Sequence, residues 1–163
     1  ADQRTSVPHI YALGDVTQTV QLTPVAIAEA RALVERLFRN NPARVDYDRI
    51  PRAVFTLPNV ATVGLSEEEA RARGHQVRVF RTRFRPMRYA LTPRKESVLM
   101  KLVVDGPSDR VLGAHMFGPE AAETIQALAV ALQAGVTKAI VDRTMALHPT
   151  SAEEFVLMYE PVG

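Results

Sequence analysis

Hydrophobic and polar positions divide the chain into extended and helical stretches. The apolar run in "VPHIYALGD" predicts a short buried strand from His9 to Leu13 that ends on Gly14 and Asp15. A polar loop, "VTQTVQ", follows. In "LTPVAIAEARALVERLF", Ala26, Ala30, Leu33, Leu37 and Phe38 keep the helical period. Thr23 is expected as N-cap, with Pro24 at the first helical position, where a missing N–H costs nothing. The helix should end near "RNNP". Strand, loop and helix in this order form half of a nucleotide-binding α/β unit.

The pattern breaks at "RNNPARVDYDRIP", residues 39–51, which is rich in Asn, Asp and Pro, lacks an apolar period and reads as an interdomain linker. Beyond it, "RAVFT" and "NVATVGL" read as strands, "SEEEARARG" as a short helix capped by Ser66 and stopped at Gly74, and "VRVFRTRF" as a third strand. Two more strands, "SVLMKLVVD" and "RVLGAHMFG", flank a "GPS" turn, and "AAETIQALAVALQAG" is the longest helix of this half, closed by Gly135. Strands grouped together, with helices after them, predict an α+β fold: an antiparallel sheet with helices on one face.

Composition narrows the function classes. The 163 residues suffice for one domain with a core, or one domain plus part of another. Lys and Arg number 20 against 18 Asp and Glu, spread along the chain rather than clustered, which argues against nucleic acid as the main partner. No apolar run is long enough to span a membrane, and the first residues have no signal-peptide pattern, so a cytoplasmic protein is expected. Cysteine is absent, which excludes disulfides and thiol chemistry within the chain, and no metal motif occurs.

Two motifs carry candidate chemistry. In "ALHPTSAEEFV", Thr150 and Glu153 have the spacing of a capping box at a helix start. Alternatively, Pro149 holds His148 out of the helical region and Glu153 returns beside the imidazole to fix its tautomer and support its charged form. Both readings place a helix after Pro149. In "ALGDV", Gly14 and Asp15 form either an ordinary turn or a close-approach glycine followed by a carboxylate that accepts from a sugar or ribityl hydroxyl. The following helix start would point N–H groups and a positive dipole end at a carbonyl or anion. His115 within its strand reads as a core histidine, "PRKE" as a solvated turn, and His9 and His75 are assigned no role.

Four segments in order, "RTSVPHIYALGDVTQTVQLTPVAIAEARALVERLF", "VFTLPNVATVGLSEEEA", "FRPMRYALTPRKESVLMKLVVD" and "ALHPTSAEEFV", closely resemble the C-terminal part of the pyridine nucleotide-disulfide oxidoreductases. These flavoproteins pass electrons from NADPH through FAD to a redox-active disulfide. The resemblance implies that residues 1–48 are the C-terminal end of an FAD-binding domain and residues 49–163 a dimerisation domain. It assigns Gly14, Asp15, Leu22, Thr23 and Pro24 to the flavin site, with Asp15 on the ribityl chain and the Thr23 N–H near the pyrimidine carbonyl. It implies a homodimer in which His148 reaches the partner's active site as acid and base, with Glu153 holding it.

Within the family, the resemblance runs to the members that reduce glutathione disulfide. Arg31 matches a position that binds a glycine carboxylate, and Met87, Thr150 and Glu154 match positions lining the substrate site. Trypanothione reductase, dihydrolipoamide dehydrogenase and mercuric reductase are the related alternatives, and a stand-alone, non-catalytic dimerisation module is the alternative of another class. The family's C-x₄-C and G-x-G-x-x-G segments have no counterpart here, so the resemblance implies a fragment, inactive alone, whose parent uses FAD and NADPH. The tail "YEPVG" departs from the family's usual ending.

Overall fold

A computed structural model describes residues 2–17 and 20–162. Gln18 and Thr19 of the expected polar loop, and Gly163 of the tail, lie outside the described residues. Two compact units are formed, Ala1–Tyr47 and Asp48–Gly163.

The first unit is built on helix α1, Thr23–Phe38. Its N-cap position is Leu22, without a side-chain cap, so the helix begins at Thr23 itself, one place earlier than expected. The buried positions are Val25, Glu29 and Ala32, whereas Leu37 and Phe38 are exposed. The buried stripe is therefore displaced from the predicted one, because it turns on a charged residue. Glu29 is 1 % exposed; its carboxylate accepts from the Gly14 N–H at 2.7 Å and from the Tyr47 hydroxyl at 2.6 Å. The expected strand at 9–13 does not form. Tyr11 makes one isolated bridge with Arg4, and Ile10 is 49 % exposed. An extended segment needs a neighbouring ladder to satisfy its N–H and C=O groups, and the described residues of this unit contain no second strand. The segment 39–47 has little regular structure, yet its last residue, Tyr47, is tied to α1 through Glu29.

The second unit is α+β: a five-stranded antiparallel sheet with helices packed on it. Its strands are β1 (Arg52–Val54), β2 (Asn59–Gly64), β3 (Val77–Phe84), β4 (Val98–Asp105) and β5 (Val111–Gly118), in spatial order β1-β2-β5-β4-β3. Hairpin β4–β5 closes over the predicted turn, with the Asp105 N–H on the Arg110 carbonyl at 2.9 Å. Strand periodicity puts Val98, Met100, Leu102 and Val104 on one face, where they meet Ile125 and Leu132 of helix α3 (Ala121–Gln133) in the main core. Each such side chain contributes about 1.5–3 kcal/mol on burial.

Short helix α2 (Glu67–Ala72) packs Ala70 against Val103, which points to the opposite face. Its start is the predicted Ser66 cap, completed by Glu69 as a capping box, and Gly74 follows it in the left-handed region at φ 85°. Gly64 and Gly113, opposite each other in the β2–β5 ladder, let the two strands approach closely, since a Cβ on Gly64 would lie 2.2 Å from the Leu112 carbonyl oxygen. One element was not anticipated. Helix α4 (Lys138–Arg143) starts where the Thr137 hydroxyl accepts from the Ile140 N–H. Helix α5 (Glu154–Leu157) follows the His-Pro segment and buries Phe155 in the core. The tail closes onto the sheet edge, with the Val162 N–H on the Val79 carbonyl at 2.7 Å. Among the described residues no helix is long and apolar enough to cross a membrane.

Candidate functional site

The segment between α4 and α5 leaves the body of the sheet, and Met145 and Leu147 are 92 % and 74 % exposed. His148 follows on a cis peptide to Pro149. Its Nδ1 lies 3.2 and 3.1 Å from the two carboxylate oxygens of Glu153. An ionised carboxylate only accepts, so Nδ1 carries the proton and donates, which leaves Nε2 as the ring atom for exchange with another molecule. The exposures differ sharply: the imidazole side chain is 70 % exposed and the Glu153 side chain 11 %. A sheltered carboxylate thus holds a ring that projects outward.

The same carboxylate also closes the turn that precedes α5. The Thr150 N–H donates to Glu153 Oε1 at 3.3 Å, and the Glu153 N–H donates to the Thr150 hydroxyl at 3.2 Å. The Thr150 hydroxyl in turn donates to the Leu147 carbonyl at 2.8 Å. The reciprocal Thr150–Glu153 bonds of the expected capping box and the histidine clamp therefore occur together, but in the turn ahead of the helix: α5 begins at Glu154, and its N-cap, Glu153, has no side-chain cap. A capped carboxylate has fewer rotamers to lose when it also fixes the imidazole.

His148 opens onto a cleft of about 660 Å³ in the second unit. One wall is the run Phe84–Arg88 that leaves β3; the other is 148–154 with Leu157, and Glu120 and Thr124 lie between them. Met87, Thr150 and Glu154 thus share one cleft with His148 and Glu153. Met87 is 65 % exposed, an apolar side chain presented to the opening. Burial, and then the neighbouring Glu153 charge, push the Glu154 carboxyl above the usual carboxylate range. Arg88 pairs with Glu120 across the cleft mouth. Arg85 donates to the Thr92 carbonyl at 2.7 Å, which fixes the turn that presents Met87. Arg85, Arg88 and Glu120 were not anticipated as cleft residues. Arg85 and Arg88 flank Met87 in "FRPMRY", but Glu120 lies 32 residues on and has no local signal.

The remaining expected site residues belong to the first unit. Gly14 lies in the left-handed region at φ 69°, and a Cβ there would sit 3.1 Å from Ala26 Cβ. It opens a tight turn, Gly14–Val16, whose carbonyl accepts from the Thr17 N–H at 2.9 Å and hydroxyl at 2.7 Å. Asp15 is exposed at the tip of this turn. Leu22, Thr23 and Pro24 begin α1, where the Thr23 N–H has no intrahelical partner. A projecting carboxylate acceptor and a helix N-terminus suit a polyol chain and a polarised carbonyl or delocalised anion, so these residues fit the flavin group the sequence implies. Arg31 is exposed on α1.

Two histidines of the second unit have structural partners. His115 Nε2 donates to the Leu65 carbonyl at 3.1 Å while Nδ1 is 2.6 Å from the Thr62 hydroxyl, as a core histidine requires. His75, to which no role was given, pairs through Nδ1 with Asp105 at 3.1 Å. Their partners lie 53 and 30 residues away in sequence, beyond local reading.

The family model described as "Pyridine nucleotide-disulphide oxidoreductase, dimerisation domain" matches residues 50–159. The chain is 52 % identical over 157 residues to glutathione reductase of Nostoc sp. strain PCC 7120, covering 95 % of this chain and 34 % of that protein. It is 51 % identical over 155 residues to glutathione reductase of Burkholderia cepacia, again covering 95 % and 34 %. With the chloroplastic/mitochondrial glutathione reductase of Pisum sativum it shares 49 % over 158 residues, 97 % of this chain and 29 % of the relative. The chain spans about a third of the length of these relatives.

Proposed function

Because the chain belongs to the pyridine nucleotide-disulfide oxidoreductase family, of which it carries the dimerisation domain, we propose that it is the C-terminal part of a homodimeric glutathione-disulfide reductase that uses FAD and NADPH. The observation that carries this reading is the His148–Glu153 pair at the cleft mouth. When bound in the parent enzyme, FAD supplies the redox relay between NADPH and the disulfide. The chain's own residues supply protons and shape. Nδ1 of His148 is committed to Glu153, so Nε2 gives a proton to the thiolate that leaves as glutathione disulfide is cleaved, and recovers one afterwards. The ring is the imidazolium before it gives this proton, neutral once it has given it, and imidazolium again after recovering one, while Nδ1–H stays on the Glu153 carboxylate throughout. Met87, Thr150 and Glu154 line the substrate cleft, and Arg31 holds a glycine carboxylate. Asp15 and the start of α1 hold the flavin, with Gly14 allowing the close turn.

The test is the full-length enzyme with His148→Ala and, separately, Glu153→Gln, followed in its two half-reactions. Flavin reduction by NADPH should stay at the wild-type rate. Disulfide reduction should fall by about 10²–10⁴ for His148→Ala and by less for Glu153→Gln. Equal loss of both half-reactions, or full turnover by His148→Ala, would remove His148 from the chemistry.

A further inference from the structure

Glu29 is the most deeply buried carboxylate among the described residues, and the site as described so far does not use it. A carboxylate removed from water is destabilising unless it is hydrogen-bonded or paired. Two of its bonds are short and well defined: Oε2 to the Gly14 N–H and Oε1 to the Tyr47 hydroxyl. Both bonds bear on one place in the first unit. Gly14 is the residue whose left-handed φ sets the turn, and Asp15 is the next residue, held out at its tip. Tyr47 is suited to remain the donor, since burial, followed by its bond to Glu29, pushes the phenol up to about 12.

We propose that Glu29 is a positioning residue for flavin binding: it fixes the Gly14–Val16 turn through the Gly14 N–H and so aims Asp15 at the polyol chain of the flavin, while Tyr47 holds Glu29 in place. This rests on the reading of Asp15 as a flavin ligand. The arrangement explains why a charged residue occupies the buried stripe of α1, where an alanine would pack more simply. Helix α1 and residue 47 are thereby joined to the turn by hydrogen bonds rather than by shape alone.

The experiment uses the full-length enzyme stripped of flavin and reconstituted, with FAD Kd read from flavin fluorescence and amide exchange read on the 12–17 segment. Glu29→Ala should raise the FAD Kd by about tenfold or more, the loss expected for a charge-assisted bond, and speed exchange at 12–17. Glu29→Gln keeps an acceptor for the Gly14 N–H and should stay within about threefold. Because Glu29 acts through Asp15, adding Glu29→Ala to Asp15→Asn should weaken binding little further. Should Glu29→Ala fail to fold, Tyr47→Phe carries the same test, with a smaller rise in Kd that also vanishes on the Asp15→Asn background. Additive losses, or an unchanged Kd accompanied only by a lower melting temperature, would overturn the proposal. If Asp15→Asn itself leaves the Kd unchanged, the flavin role of Asp15 fails first and the proposal with it.

Discussion

Lys138 offers a quantitative test of how the second unit is held together. It begins α4, is 2 % exposed, and places its ammonium 4.3 Å from the centre of the Phe80 ring on β3. Its partner is Asp142, one turn on; the two side chains are 3 % and 33 % exposed. The unequal burial predicts unequal costs. Asp142→Ala leaves a buried cation supported by the Phe80 ring and, farther off, the Tyr159 ring. Breaking a fully buried pair costs about 3–5 kcal/mol, and the partial exposure of Asp142 lets water approach, which reduces this to about 1–3 kcal/mol. Lys138→Met removes the charge together with the need to pair it and keeps an unbranched side chain against Phe80, so it should cost less than about 1 kcal/mol. The gap corresponds to roughly 2–6 °C in melting temperature for a chain of this size. Thermal unfolding followed by circular dichroism, including the double variant, measures it. Asp142→Ala should be nearly silent on the Lys138→Met background. Strict additivity, or Lys138→Met as the more damaging change, would refute the reasoning.

Burial lowers the His115 pKa, Lys101 acts in the same direction, and the Leu65 carbonyl opposes them. The folded state therefore binds a proton less readily than the unfolded one: stability is complete above the ordinary value of 6.5 and falls as pH drops below it. Melting temperatures at about pH 7.5 and 5 should converge for wild type and His115→Gln as pH falls, and parallel curves would exclude His115 as the cause. Gly64→Ala should destabilise by more than about 2 kcal/mol, because φ 77° is combined with a Cβ 2.2 Å from a carbonyl oxygen. Gly74→Ala, at φ 85° but in open space, should cost about 1–2 kcal/mol; equal effects would show that the close approach is relieved cheaply. Glu154→Gln in the full-length enzyme should raise KM for glutathione disulfide by about tenfold with kcat nearly unchanged, and a fall in kcat alone would place Glu154 in the chemistry instead.

What the sequence disclosed follows the range of the interactions involved. Strand β3 has the predicted bounds, and Ser66 and Gly74 bracket α2 as expected, because alternation, caps and left-handed glycines act over a few residues. The His148–Glu153 pair was legible for the same reason, since five residues separate them. The strand expected at 9–13 was misread because an apolar run shows that burial is favourable without supplying a neighbouring strand. The α1 stripe was misread because an apolar period registers only apolar positions, whereas Glu29 is buried through bonds to Gly14 and to a tyrosine inside an apparent linker. Helix α4 is too short for a period and depends on the long-range seating of Lys138 against Phe80. The cleft wall opposite His148 came into view only through resemblance, as Met87 and His148 are brought together by the sheet.

The most direct measurement is a single anaerobic turnover of the full-length protein. The flavin is first reduced with NADPH, then mixed with glutathione disulfide or with lipoamide while its absorbance is followed. Reoxidation by glutathione disulfide should be at least about a hundredfold faster than by lipoamide, since the contacts proposed for Arg31 and Glu154 are to charged groups of a peptide, which lipoamide lacks. Preference for lipoamide, or no reoxidation by either disulfide, would contradict the proposed function.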